Sequence, residues 1–393
     1  MSMPVVAVVG GSLGGLTAAL LLRDAGCRVT VYERSRTTLQ ARGAGIAVLE
    51  QTLRYPVQRL GIEPATISTS TASMQFVNPD GSIAHVSDQP YRFSSWNTIY
   101  RVLHDAFPAG QYRLGQELVG FTAHEQSVRL EFAGGGQGAA DLLVCADGIA
   151  SFGRRRLLPE VAPRYAGYIA WRGTVPEADL SAATYAALHD AITYQVLPHS
   201  HILLYPIPGA DGCVEPRRRL MNMVWYRNVP LEALPEFLTG QDGVSRTVSV
   251  PPGQVRSEQV VELRTAASQV LAPPIAEVVT SVAEPFVQAV FDIEVPTMAT
   301  GRACLIGDAA FAARPHAAAG TAKAAEDGWV LAEELIRADG DVDVALARWQ
   351  ERQVALGCSL LARTREIGDS SQFTGHFHPG DPRLVFGLYG PGR

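Results

Sequence analysis

The feature that most constrains this chain is its opening stretch, residues 4–34. Val5–Val9 is an unbroken Val-rich apolar run, the pattern of a strand buried on both faces. Gly10, Gly11, Gly14 and Gly15 follow, spaced so that the backbone turns sharply and enters a helix. Leu13, Leu16, Leu20 and Leu21 recur at helical spacing, and Gly26 stops that helix. Arg28–Tyr32 alternate into a second strand, and Glu33 stands at its carboxyl end. An acid there can accept hydrogen bonds from ribose hydroxyls, while the helix amino-end attracts a pyrophosphate. The stretch reads as a complete dinucleotide-binding βαβ unit rather than an isolated glycine string. One departure from G-x-G-x-x-G is Ser12, which admits a phosphate less closely than glycine. Gly10, Ser12, Leu13, Gly14, Gly15 and Glu33 are the expected cofactor-binding residues here, with Arg34 and Arg42 gripping the adenosine end.

At 393 residues the chain can bury a large core and is expected to hold two lobes. A charged fraction of 18% against 47% hydrophobic excludes overall disorder, and a net charge of −6 gives no footprint for nucleic acid or an anionic membrane. No apolar run approaches a membrane span, and the amino-terminus runs straight into a core strand, so no signal peptide is expected. Five scattered cysteines lack metal or redox spacing, which points to a reducing, cytoplasmic setting, and the nine histidines show no metal pattern. Of 33 basic residues only Lys323 is lysine. Either it sits where a compact ammonium is needed, or it is a chance surface survivor.

Further along, a helix is expected to end near Leu60. Residues 74–77 and 83–86 flank the turn Asn78-Pro79-Asp80-Gly81 as a hairpin. A helix at 98–107 carries Arg101, and strands follow at 118–122, 128–132 and 142–146. The last delivers Asp147-Gly148. From 165 to 226 longer β segments dominate, with helices between about 230 and 282, suggesting a mixed sheet with helices on one side. Strand character returns at 286–293 and 303–306, Asp308 follows a strand end, and helices span 321–337 and 342–365. The fold class is therefore α/β and two-lobed. A discontinuous dinucleotide-binding domain (1–72, 97–160 and 284–366) interleaves with a substrate domain (73–96 and 161–283), and a tail at 367–393 shows no period.

Three pieces point to one site: the opening βαβ unit, Asp147-Gly148 with Ser151 and Arg154, and Gly307-Asp308-Ala309-Ala310 leading through Arg314-Pro315-His316 to Gly320. In this order and spacing they resemble the class A single-component FAD monooxygenases, the aromatic hydroxylases related to para-hydroxybenzoate hydroxylase. Within that family, Tyr165-Ala166-Gly167-Tyr168, Trp171-Arg172-Gly173, Tyr205-Pro206-Ile207-Pro208-Gly209 and Arg314-Pro315-His316-Ala317-Ala318-Ala319-Gly320 with Lys323 are most similar to the members acting on 2,6-dihydroxypyridine-like rings. Phe311, where the family has histidine, and Ala318-Ala319, where it has Gly-Gln, are departures.

The resemblance implies a Rossmann-like FAD-binding domain of the glutathione-reductase type. It also implies hydroxylation of a small hydroxylated aromatic or N-heteroaromatic ring through a flavin C4a-hydroperoxide. It implies further that NADH or NADPH and O2 are consumed in that reaction and that the assembly is a homodimer. It assigns Asp147 and Asp308 to FAD, Arg101 to the flavin side, the Val119 backbone to adenine, and Ala318, Ala319 and Gly320 to the flavin ring. A helix starting near Gly320 presents free N–H groups and positive charge, which suits a reduced, anionic flavin. No second Rossmann unit is present for the nicotinamide, because Gly134-Gly135-Gly136-Gln137-Gly138 opens no helix and reads as a turn. On the substrate side, Tyr205 is either a ring-hydroxyl partner or a half-buried sheet tyrosine. His316 next to Pro315 is either base, orienter or loop cap. Trp171 reads as core, and His199 and His201 read as solvent residues flanking a turn. Epoxidation or dehydrogenation on the same scaffold, or a non-catalytic flavin-binding protein, are the competing readings.

Overall fold

In the computed structural model, which describes residues 3–40 and 44–393, the strand Val5–Val9 lies between two parallel neighbours. Arg28–Tyr32 flanks it on one side and Leu142–Cys145 on the other. Ala303–Leu305 extends the sheet in parallel beyond Leu142–Cys145, and short strands complete six. Because the chain leaves the central strand in opposite directions, a crevice opens at the carboxyl edge. Gly10, Asp147 and Gly307 all lie at that edge, each just past the end of its strand.

Helices Leu13–Asp24 and Gly320–Arg337 pack closely because small residues meet where they touch. A Cβ on Gly14 would lie 2.9 Å from that of Ala324, and one on Gly328 would lie 2.9 Å from the Ala18 Cα. These contacts run in the same sense along both helices, so the two amino-ends lie side by side. Sequence periodicity alone shows each helix; the glycine and alanine spacing is what brings their ends together.

The second lobe is an eight-stranded sheet, antiparallel except where Ala191–Leu197 runs parallel to Ser73–Val77. Its long strands obey a period of two with unusual clarity. In Arg164–Pro176, Ile169 and Trp171 point into a core beneath helices Ser257–Val270 and Pro273–Ser281, while Tyr168 and Ala170 face the opposite way. Ser200–Ile207 repeats this, with Ile202 and Leu204 inward and His201, Leu203 and Tyr205 on the other face. Trp171 is thus core, as its sequence context indicated.

One boundary drawn from sequence needs correction. Phe286–Asp292 does not belong with the dinucleotide-binding segments 284–366: it pairs with Arg164–Pro176 in the eight-stranded sheet, and Val287 and Ala289 pack into that core. In the tail, Phe377, Leu384 and Phe386 are buried against the aromatic face of the same sheet. A three-stranded sheet of Gly45–Ala47, Tyr91–Ser95 and Thr69–Thr71 was not anticipated, because its strands are too short to show a period.

Candidate active site

A cavity of about 420 Å³ separates the crevice of the parallel sheet from the aromatic face of the large one. Ser12, Leu13 and Gly14 line it from one helix amino-end, and Ala319, Gly320 and Thr321 from the other. Neither helix has a side-chain cap, so their first N–H groups and the positive ends of two helix dipoles face one space. The glycines fit this tightly: a Cβ on Gly15 would lie 1.9 Å from the Gly10 carbonyl, and Gly10 itself has φ +102°.

The polar groups around this edge suit the flavin dinucleotide that the resemblance implies. Asp147 Oδ2 accepts from the backbone of Phe152 and Gly153, capping the helix that begins there, while its buried Oδ1 has no partner among the described residues. Asp308 is open to the cavity, yet protein surrounds it closely enough for burial to raise its pKa, with Lys323 and Arg154 pulling it back. A hydroxyl-bearing chain with an anionic pyrophosphate and a flat ring matches two helix ends, an orphaned carboxylate oxygen and an accessible aspartate. Gly148 and Ile149 add backbone to the wall.

The other expected FAD residues fall into two groups. Glu33 is buried, with Oε2 accepting from Gly11 N and Oε1 from Ser35 N, so it fixes the glycine turn and keeps lone pairs for a ribose. Val119 is the extra residue of a bulge in the edge strand Leu118–Ala123, because Gly120 opposes Glu131 and Leu118 opposes Phe132. Arg34 and Arg101 lie exposed and do not line the cavity. Arg101 projects about 140° around its helix from Trp96, the cavity-lining residue of that helix. Arg42 lies outside the described residues.

Lys323 is no surface survivor: its side chain is 2% exposed and Nζ lies 2.8 Å from Asp327 Oδ2. The same oxygen accepts from Gly307 N at 2.8 Å, so this buried pair braces the turn that carries Asp308.

At the substrate end, Gly45 is clamped from the large sheet. Asn222 Oδ1 accepts from Gly45 N, while Tyr205 Oη and Arg172 Nη2 both donate to Gly45 O. Tyr205 therefore has its proton committed and offers oxygen lone pairs alone; its ring stacks on Phe93 at 4.1 Å. Arg172 also donates to Gln288. Pro315 lines the cavity and its carbonyl accepts from Ala318 N, which helps hold Ala318 at φ +56°, a left-handed conformation strained for a non-glycine residue.

His201 was misread as a solvent residue. Only His199 occupies the turn, with φ +54°; His201 is 2% exposed and lines the cavity. The missed signal was parity, since 201, 203 and 205 share one strand face with Tyr205. His201 Nδ1 is hydrogen-bonded to Ser371 Oγ, and burial pushes its pKa down to about 3. His316 Nε2 lies 2.7 Å from Tyr168 Oη; burial, with His201 and Arg314 nearby, holds its pKa well below the usual imidazole value. The two rings are 5.4 Å apart. Both are neutral at ordinary pH.

Two family models match the chain. One, described as an NAD(P)-binding Rossmann-like domain, covers residues 8–52, and one described as FAD binding domain-like covers 165–292. The chain is 36% identical over 385 residues to 2,6-dihydroxypyridine 3-monooxygenase of Paenarthrobacter nicotinovorans, covering 98% of this chain and 95% of that protein. The solved structure of 2,6-dihydroxypyridine-3-hydroxylase from Arthrobacter nicotinovorans matches with a TM-score of 0.93 at 36% identity, over 98% of this chain and 97% of that one. A 3-amino-4-hydroxybenzoate 2-monooxygenase from Streptomyces platensis is 29% identical, covering 97% of this chain and 90% of that protein.

Proposed function

The chain belongs to the FAD-dependent aromatic monooxygenases, and on that footing we propose that it hydroxylates a single-ring dihydroxypyridine, with 2,6-dihydroxypyridine the first candidate. The observation that carries the substrate class is the neutral histidine pair. Ser371 and Tyr168 each occupy one imidazole nitrogen, and the other nitrogen of each ring has no protein partner among the described residues. Two such groups on one wall suit two oxygen substituents on one ring. Arg172, a cation lining the cavity, is already engaged by Gly45 O and Gln288, which leaves a ring carboxylate without a dedicated partner among the described residues.

When bound and reduced by NAD(P)H, FAD supplies the activation of O2, so that a ring C–H becomes C–OH and the second oxygen leaves as water. The protein must orient the ring, exclude water and help a ring hydroxyl release its proton. His316 bears on this through hydrogen bonding alone: it orients the ring hydroxyl, or the ring oxyanion once the proton has left, and takes no proton itself. When its Nε2–H donates to Tyr168 Oη, Nδ1 is free to accept from a ring hydroxyl; when Tyr168 donates, Nδ1 carries the proton and donates to a ring oxygen. Tyr205 accepts a further hydrogen bond at its lone pairs, and Pro315 fixes the backbone that carries His316. The aromatic face of the sheet and the tail keep water out. Gly134–Gly136 lie in a hairpin turn and Gln137 and Gly138 enter the strand that follows, so the nicotinamide is expected to visit transiently. The family resemblance supports a homodimer, and five unpaired cysteines suit a reducing cytoplasm.

The test is a screen of dihydroxypyridines, hydroxybenzoates and urate-like rings for stimulated NAD(P)H oxidation, O2 uptake and addition of one oxygen atom to the ring. Dihydroxypyridines are expected to lead. Faster coupled turnover of a ring carboxylate would overturn the substrate class.

A further inference from the structure

The tail that showed no sequence period closes the active cavity. After helix Val342–Asp369 the chain makes the π-helical turn Ser370–Thr374, and Gly375, at φ +71°, redirects it across the aromatic face of the large sheet. It is fastened further on, where Gly387 N donates to Ala317 O in the flavin-facing loop and Phe386 N donates to Tyr91 Oη. Between these fixings lies Phe377, 5% exposed, whose backbone makes no main-chain hydrogen bond among the described residues. Its ring stacks on His201 at 4.7 Å and 18°.

Phe377 is part of the wall of two cavities. One is the active cavity; the other, of about 390 Å³, lies behind it and is walled by Phe76, Val77, Pro79, Val196, Pro198 and Pro379. Ser371 lines that second space while hydrogen-bonding His201, which lines the first. The partition is therefore one side chain thick. It is held by packing alone, and it stands at the end of the cavity where the histidines face the substrate. The room behind it is a surface groove, floored by Phe76 and Val196 and rimmed by the exposed Asn78, Pro198 and His378, and at that volume it is large enough for a fused ring.

We propose that Phe377 is a specificity-determining residue: it caps the histidine end of the cavity and confines the substrate to a single ring. This rests on the dihydroxypyridine reading above. Truncating the side chain joins the two spaces, so a benzo-fused ring gains room while a single ring loses the stacked wall behind His201.

The experiment compares the parent holoprotein with F377A and F377L, using 2,6-dihydroxypyridine and a dihydroxyquinoline as ligands. Dissociation constants come from perturbation of the flavin absorption spectrum, without turnover. In F377A the quinoline-to-pyridine affinity ratio is expected to rise about tenfold, and in F377L by about threefold. If F377A does not retain FAD, the F377L ratio alone decides. A ratio within twofold of the parent in a variant that keeps its FAD overturns the inference while leaving the function intact. If the parent flavin responds to neither ring, the functional reading fails and takes this inference with it.

Discussion

Replacing Lys323 with methionine should be among the most damaging single changes outside the cavity wall. The ammonium lies 2.8 Å from Asp327 Oδ2, with the two side chains 2% and 0% exposed. At an effective dielectric of about 20, that separation corresponds to roughly 6 kcal/mol of attraction. Desolvation of both charges cancels part of it, but deleting one partner strands the other, and the expected loss is about 3–5 kcal/mol. Asp327 would keep only the Gly307 N–H, with Oδ1 already unpartnered among the described residues. The damage should reach the cofactor, because Gly307 precedes Asp308. Urea unfolding of the apoprotein gives the stability loss, and fluorescence of released FAD gives the affinity loss. The pH dependence has a definite sign. Burial holds Asp327 above the ordinary carboxylate range and Lys323 pulls it down. A carboxylate with a raised folded pKa stabilises the folded state only while protonated, so its contribution falls as pH rises from the unfolded value toward the folded one. Without Lys323 that pKa climbs further, and K323M should lose more stability than the parent as pH rises above the ordinary carboxylate range. K323M/D327N, with no stranded charge, should recover most of the loss. A K323M protein within about 0.5 kcal/mol of the parent, or a double variant no better than the single, would refute this reasoning.

Three further outcomes follow from the same geometry. Gly15→Ala places a methyl 1.9 Å from the Gly10 carbonyl and should abolish FAD retention, as read by the flavin absorbance of the purified protein. Tyr168→Phe removes the hydroxyl from His316 Nε2, costing about 1–3 kcal/mol in urea unfolding and lowering kcat/KM in steady-state assays. His201, pushed down to about 3, withholds a proton that the unfolded chain takes up near pH 6.5. Its contribution is therefore complete above the unfolded pKa and is lost as pH falls through it toward about 3. His201→Gln should flatten that acid limb of stability against pH, and an unchanged limb would count against the assignment.

Much of this was legible in the residues, for identifiable reasons. The opening βαβ unit announces itself because a doubly buried parallel strand, a glycine turn and a helix face each leave a local pattern, and Val5–Val9 and Leu13–Asp24 carry all three. The long strands of the second lobe were visible as extended β segments, though both faces are buried and which face meets the cavity was not legible. Hidden features depend on contacts between distant segments. His201 lies beside a turn and looks exposed until the Tyr205 face is known to meet a cavity. Lys323 pairs one turn along its helix, but the segments that bury the pair, carrying Met298, Gly307 and Phe311, are distant in sequence. Phe286–Asp292 has strand character in either lobe, and pairing with Arg164–Pro176 decides which. The tail lacks a period because it follows the surface of a sheet rather than forming an element of its own.

A crystal structure of the holoprotein with 2,6-dihydroxypyridine bound tests the account most directly. It should show the flavin ring against the Ala318–Gly320 amides and the substrate ring between it and the His201–His316 wall, with Phe377 closing the far end. A substrate ring held elsewhere, or with its oxygens away from both imidazoles, would contradict it.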